Sequence, residues 1–171
     1  MADYHSPTVI QPNLPLADIS PLERLLLGAM FDAEVDGDGL YLCAELSIDT
    51  LPFVGVGELR ASYAESLGFE SRLLAPVQLW LDQVSEAADL EDTYFDFDAH
   101  LEEPAYQIML QDIVRRSATI GYFIIEGAYT CTKMRADGFG GWAGLIHANG
   151  IRVESTRDVI ERFFGEEKVP F

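Results

Sequence analysis

Apolar positions along the chain follow two rhythms, one helical and one alternating. Ser20-Pro21-Leu22-Glu23 opens the first helical stretch, with a capping Ser, a Pro in the first turn and a Glu placed to close a capping box. Leu22, Leu25, Leu26, Met30 and Ala33 then share one helical face. Asp36-Gly37-Asp38-Gly39 breaks that pattern, and Leu40 to Glu45 reads as a strand. Glu58 to Leu67 predicts a short helix with Leu59, Tyr63 and Leu67 on one side and Gly68 just beyond it. Pro76 opens another, reaching Ala88, with Val77, Trp80, Leu81 and Val84 inward and Asp82 and Glu86 outward. Thr93-Tyr94-Phe95-Asp96-Phe97-Asp98 alternates rings and acids, the pattern of a strand whose carboxylates face water.

The second half carries one more helix and then strands. Pro104 to Arg116 is helical, with Tyr106, Met109, Leu110 and Ile113 as its seam. Gly121 to Cys131 is a long apolar, β-branched run expected as a central strand. Gly138-Phe139-Gly140-Gly141 turns it into a strand over Trp142–Ala148, and Asn149-Gly150 predicts a hairpin to Ile151–Val153. Ser155 and Asp158 start a last helix that is expected to bury Val159, Ile160, Phe163 and Phe164 and to stop at Gly165. Helices first and hairpin-linked strands later imply an α+β fold, an antiparallel sheet with helices packed on one face. Pro7, Pro12 and Pro15 mark residues 1–19 as an extended N-terminal arm ahead of a single α+β domain over residues 20–171.

Charge changes this picture more than composition does. The 171 residues hold 29 acidic and 11 basic side chains, a formal net charge of -18. Residues 1–114 carry 22 acids and three bases (Arg24, Arg60, Arg72), whereas residues 115–171 carry seven acids and eight bases. No Lys or Arg lies between Arg72 and Arg115, where Asp82, Glu86, Asp89, Glu91, Asp92, Asp96, Asp98, Glu102 and Glu103 cluster. Such a surface repels nucleic acid and anionic membranes and attracts a basic partner. No run of apolar residues is long enough to span a bilayer, and no secretory leader is visible, so a cytoplasmic protein is expected.

Candidate chemistry is sparse. Glu34, Asp36 and Asp38, with Gly39 and then Glu45, match a calcium-loop pattern, but Leu40-Tyr41-Leu42-Cys43 favours a strand where such a loop needs its exiting helix. The plainer reading is an acidic turn. Cys131 in Thr130-Cys131-Thr132-Lys133-Met134-Arg135 has cations that would favour a thiolate, and His147 is placed on a neighbouring strand; a buried, inert thiol is the plainer alternative. His5, His100 and His147 are too scattered for a metal set, the glycine clusters lack a phosphate-cradle context, and no cofactor is expected.

Two stretches carry a resemblance. Ser20-Pro21-Leu22-Glu23-Arg24-Leu25-Leu26-Leu27 through Phe31-Asp32-Ala33-Glu34 to Asp36-Gly37-Asp38-Gly39 is one, and Cys131-Thr132-Lys133-Met134-Arg135 with Asp137-Gly138-Phe139-Gly140-Gly141 is the other. They resemble a family of uncharacterised proteins carried on bacterial plasmids and integrated mobile elements. The resemblance implies a setting and no catalytic residue: mobile elements encode small acidic proteins that block host restriction or CRISPR machinery by imitating DNA. The expected function is therefore an acidic, non-enzymatic inhibitor whose partner is a basic nucleic-acid-binding protein, met through the acids between Asp82 and Glu103. The alternatives are an interaction module, whose arm with Val9, Ile10, Leu14 and Leu16 pairs with a partner or a second copy as a homodimer, and an enzyme or calcium-binding protein using the 34–45 turn or Cys131.

Overall fold

The computed structural model describes residues 3–84, 93–94, 101, 103–135 and 138–167. The chain runs β1 (Tyr4–His5), β2 (Thr8–Pro15), one turn of 3-10 helix (Leu16–Asp18), α1 (Pro21–Met30), β3 (Asp32–Asp36), β4 (Gly39–Ala44) and β5 (Phe53–Val54). It continues through α2 (Val56–Ser66), α3 (Leu74–Gln83), β6 (Thr93–Tyr94), α4 (Ala105–Arg116), β7 (Tyr122–Cys131), β8 (Gly140–His147), β9 (Gly150–Ser155) and α5 (Thr156–Glu167). Seven strands form one antiparallel sheet in the order β3-β4-β2-β7-β8-β9, with β1 extending the β2 side of β7; β5 and β6 pair separately. The architecture is α+β.

Strand alternation assigns the two faces of the sheet. Ile10, Leu42, Phe123, Ile125 and Ile146 point to one side and are buried in a single core with Leu22, Leu26 and Leu27 of α1 and Met109, Leu110 and Ile113 of α4. Gln11, Ile124, Glu126 and Leu145 occupy the alternate positions and are exposed on the opposite face. The first turn of α1 is set by the expected capping box: Ser20 Oγ accepts from Glu23 N at 3.2 Å while Glu23 Oε2 accepts from Ser20 N at 2.9 Å. α4 is buried on nearly every side, polar residues included, because the sheet and α1 both pack on it.

Several boundaries differ from expectation, each for a local reason. α1 stops at Met30, and Asp32-Ala33-Glu34-Val35-Asp36 is a strand, so Ala33 is not on the helix. Alternating acids there pair with β4 across a turn in which Gly37 takes φ +62°, a conformation glycine adopts freely. The predicted N-terminal arm is extended, yet β2 lies between β4 and β7 in the interior of the sheet, with Ile10 and Leu14 fully buried. The β8–β9 hairpin closes His147 onto Gly150, so its loop is Ala148-Asn149, one residue earlier than the Asn-Gly signal suggests. Leu67 lies past the end of α2 and is exposed. α5 runs through Gly165 to Glu167, and none of its residues is buried, against the expectation that Val159, Ile160, Phe163 and Phe164 would be.

Candidate functional site

Charge on the described surface concentrates at one edge of the sheet. Every residue of β3 is exposed, and Asp32, Glu34 and Asp36 project to the open face, opposite Cys43, Tyr41 and Gly39 of β4. Alternate residues of a strand lie about 6.7 Å apart, so the three carboxylates make a row about 13 Å long. Asp32 accepts from Glu45 N at 3.3 Å and Asp36 accepts from Asn13 Nδ2 at 3.1 Å, which orient the carboxylates without neutralising them. Burial first, then Cys43, then the Glu34 carboxylate push the Tyr41 phenol above its ordinary value. Further along the same face, Glu126 accepts from Gln11 Nε2 at 3.2 Å.

The three arginines Arg60, Arg72 and Arg116 are used by the fold elsewhere. Arg72 binds Asp112 through its backbone N at 2.8 Å and its Nε at 2.7 Å, and donates to Gln111 Oε1 at 2.8 Å. Arg60 donates to the carbonyls of Leu81 (3.3 Å) and Val84 (2.9 Å), at the end of α3. Arg116 pairs with the buried Glu23, donates to the carbonyls of Asp18 and Glu70, and lies 5.6 Å over the Phe69 ring. Among the described residues the ion pairs use Asp112, Glu23, Glu154 and Glu161, and none uses a carboxylate of the β3–β4 hairpin. Among the described residues the acidic edge therefore takes part in no ion pair.

A hollow of ≈ 460 Å³ lies beside this row, lined by Pro7, Val9, Cys43, Ala128, Glu45 and Glu126. Its floor is apolar and its rim carries two carboxylates, a surface that suits a long cationic side chain: the methylenes lie on the floor and the head reaches the acids. A second cavity of ≈ 390 Å³ opens on the helix side of the sheet, with Tyr106, Gln107, Tyr129, Trp142, Ser155 and Asp158 among its lining. No cysteine or histidine lines it. Asp158 caps α5, accepting from Ser155 N and Ser155 Oγ at 2.7 Å each, and these bonds hold its carboxyl below the ordinary range. The Ser155 hydroxyl and the Asp158 carboxylate of this cavity are thus engaged with each other in the cap of α5.

The acidic run expected as the partner surface lies mostly outside the described residues: Glu86, Asp89, Glu91, Asp92, Asp96, Asp98 and Glu102 do. Asp82 is described at the end of α3, where Gln78 Nε2 donates to it at 2.5 Å, and Glu103 is exposed ahead of α4. His100 is also outside. The calcium alternative is not supported by the geometry. Asp36 and Asp38 flank the hairpin turn, but Glu45 is six residues beyond Gly39, about 20 Å along the strand. Among the described residues no group of three His, Cys, Asp or Glu side chains converges on a common point. The Cys131–His147 pairing fails for a similar reason. β7 and β8 are neighbours, but His147 faces Tyr122 at the start of β7 and Cys131 ends it, about 30 Å away. Cys131 is buried, with Gly138 packed against its Cβ.

Helical periodicity concealed the acidic edge, because Ala33 continued the spacing of α1 and drew Asp32 and Glu34 into the helix. The Asp32-x-Glu34-x-Asp36 alternation was the signal for it. Compared with known proteins, the chain matches no family model, no curated protein and no solved structure.

Proposed function

We propose that this protein is an acidic, non-enzymatic inhibitor that occupies the nucleic-acid-binding groove of a host defence protein. The row of exposed carboxylates Asp32, Glu34 and Asp36, used by no ion pair among the described residues, carries the reading. Its linear density, one charge per about 6.7 Å, is half that of one DNA strand at about 3.4 Å of axis per phosphate. The row thus supplies part of a phosphate-like track, and the acids from Asp82 to Glu103 supply more within the same acid-rich, base-poor residues 1–114. The hollow rimmed by Glu45 and Glu126 adds a seat for one Arg or Lys of the partner.

Competition against labelled duplex DNA tests this directly, using a panel of purified restriction and CRISPR effectors at low salt. The protein is expected to displace DNA from at least one effector, with an affinity that falls steeply as salt rises. The triple variant Asp32→Lys, Glu34→Lys, Asp36→Lys should compete at least about tenfold less well, because close charge pairs across an interface are removed and repulsions added. Undiminished competition by that variant, or no displacement from any effector, would overturn the proposal.

A further inference from the structure

The helix side of the sheet is filled at its middle and hollow at one end. Strand register sets two neighbouring rows across that face. Ile10, Ile125, Gly144 and Val153 stand level across β2, β7, β8 and β9, and the next row holds Thr8, Gly127, Trp142 and Ser155. The first row belongs to the core at Ile10 and Ile125, whereas the second sets small residues around one large ring. Gly127 makes this possible: a Cβ there would collide with the Trp142 indole, so the ring lies over bare backbone. Thr8, Trp142 and Ser155 of this second row line the cavity of ≈ 390 Å³. Sites for small ligands span about 300–1,000 Å³.

Two more rings and one charge complete the lining. Tyr106, in the first turn of α4, is buried; its ring meets Phe31 edge-on at 5.8 Å and its hydroxyl accepts from Gln107 Nε2 at 3.0 Å. That wall is fixed before any ligand arrives. Tyr129 stands two residues beyond Gly127 on the same face of β7 and is 46% exposed. Asp158 is the charged residue of the lining, with no Lys, Arg or His beside it. Both bonds that Asp158 accepts from Ser155 end on Oδ2, and the carboxylate takes part in no ion pair among the described residues. Aromatic faces attract cations, most strongly where water is excluded, and a carboxylate supplies the counter-charge. An anion would be repelled by Asp158, and a neutral ligand would leave that charge unused. The net charge of -18 draws cations to the whole surface besides.

We propose that this hollow binds a small organic cation, an alkylated ammonium ion of about the size of choline, held among Trp142, Tyr106 and Tyr129 with Asp158 as its counter-charge. The site is separate from the acidic row of β3, which projects from the opposite face of the sheet. Either proposal can therefore fail without the other.

Nitrogen–proton correlation spectra of the full chain read the site. The sequence holds two tryptophans, Trp80 and Trp142, whose indole signals are told apart with Trp142→Phe. Choline chloride is titrated at constant ionic strength, with NaCl making up the difference. The Trp142 signal should shift saturably while that of Trp80 remains fixed. The neutral alcohol in which carbon replaces the choline nitrogen should bind at least about tenfold more weakly. Asp158→Asn, which keeps a capping side chain, should weaken choline binding by about threefold or more and leave the alcohol unchanged. Tyr129→Leu, at an exposed position, should also weaken choline. No saturable shift of the Trp142 signal would overturn the proposal. Equal binding of the alcohol would overturn it too, assigning the hollow to apolar ligands, as would choline binding indifferent to both substitutions.

Discussion

Single side chains carry two of the sharper consequences. Gly127 faces Trp142 across β7 and β8, and a Cβ there would meet the indole, with Cζ2 at 2.8 Å. In an unobstructed strand, Gly→Ala stabilises by about 0.5–1 kcal/mol. Here Gly127→Ala should instead destabilise by about 1–3 kcal/mol, since the ring sits in the cavity side of the sheet and has to move. Urea denaturation reads the sign. Glu23 is fully buried, its Oε2 taken by Ser20 and Arg116 and its Oε1 without a partner among the described residues. Arg116→Ala leaves that carboxylate buried and unpaired and should cost about 3–5 kcal/mol in the same measurement, far more than removing an exposed arginine such as Arg157.

At the level of elements, α5 reports pH. Its Asp158 has a folded value below the ordinary 3.8, because the Ser155 backbone N–H and then the Ser155 hydroxyl bind the charged form. A lowered folded value means stability that is present above 3.8 and lost as pH falls through the lower folded value. Melting curves of the wild type should therefore fall toward those of Asp158→Asn as the solution is acidified below 3.8, and should separate above it. The β3–β4 hairpin answers to backbone conformation instead. Gly37→Ala places a Cβ at φ +62° and should cost about 1 kcal/mol or somewhat more, although no neighbouring atom obstructs it.

For the whole molecule the dominant quantity is the net charge of -18. Self-repulsion opposes the compact state, and a Debye length near 10 Å at 0.1 M salt screens it. Raising NaCl should therefore raise the melting temperature of the monomer; a melting temperature indifferent to salt would mean that the acids are spaced too widely to interact. The triple Lys variant of β3 should show a smaller salt response for the same reason.

The starts of the first and last helices, the long central strand and the two-sided rhythm of the sheet were legible because capping boxes and alternation are local: Ser20 with Glu23, Ser155 with Asp158, and Phe123 with Ile125 state their roles within a few residues, whereas α2 and α3, without capping side chains, start two residues ahead of the expected Glu58 and Pro76. The asymmetry of charge was legible too, since it is a count. Tertiary structure alone decided which acids line one edge outside the ion pairs of the described residues, because Arg60, Arg72 and Arg116 find their partners across 21, 40 and 93 residues of sequence. It also made a predicted arm into an interior strand and left the apolar stripe of α5 outside. Burial is a property of what packs on an element, and periodicity within the element shows only that one face is apolar. The sequence by itself determined an acidic α+β protein; the packing determined which acids line an exposed edge and which apolar side chains of α5 are exposed.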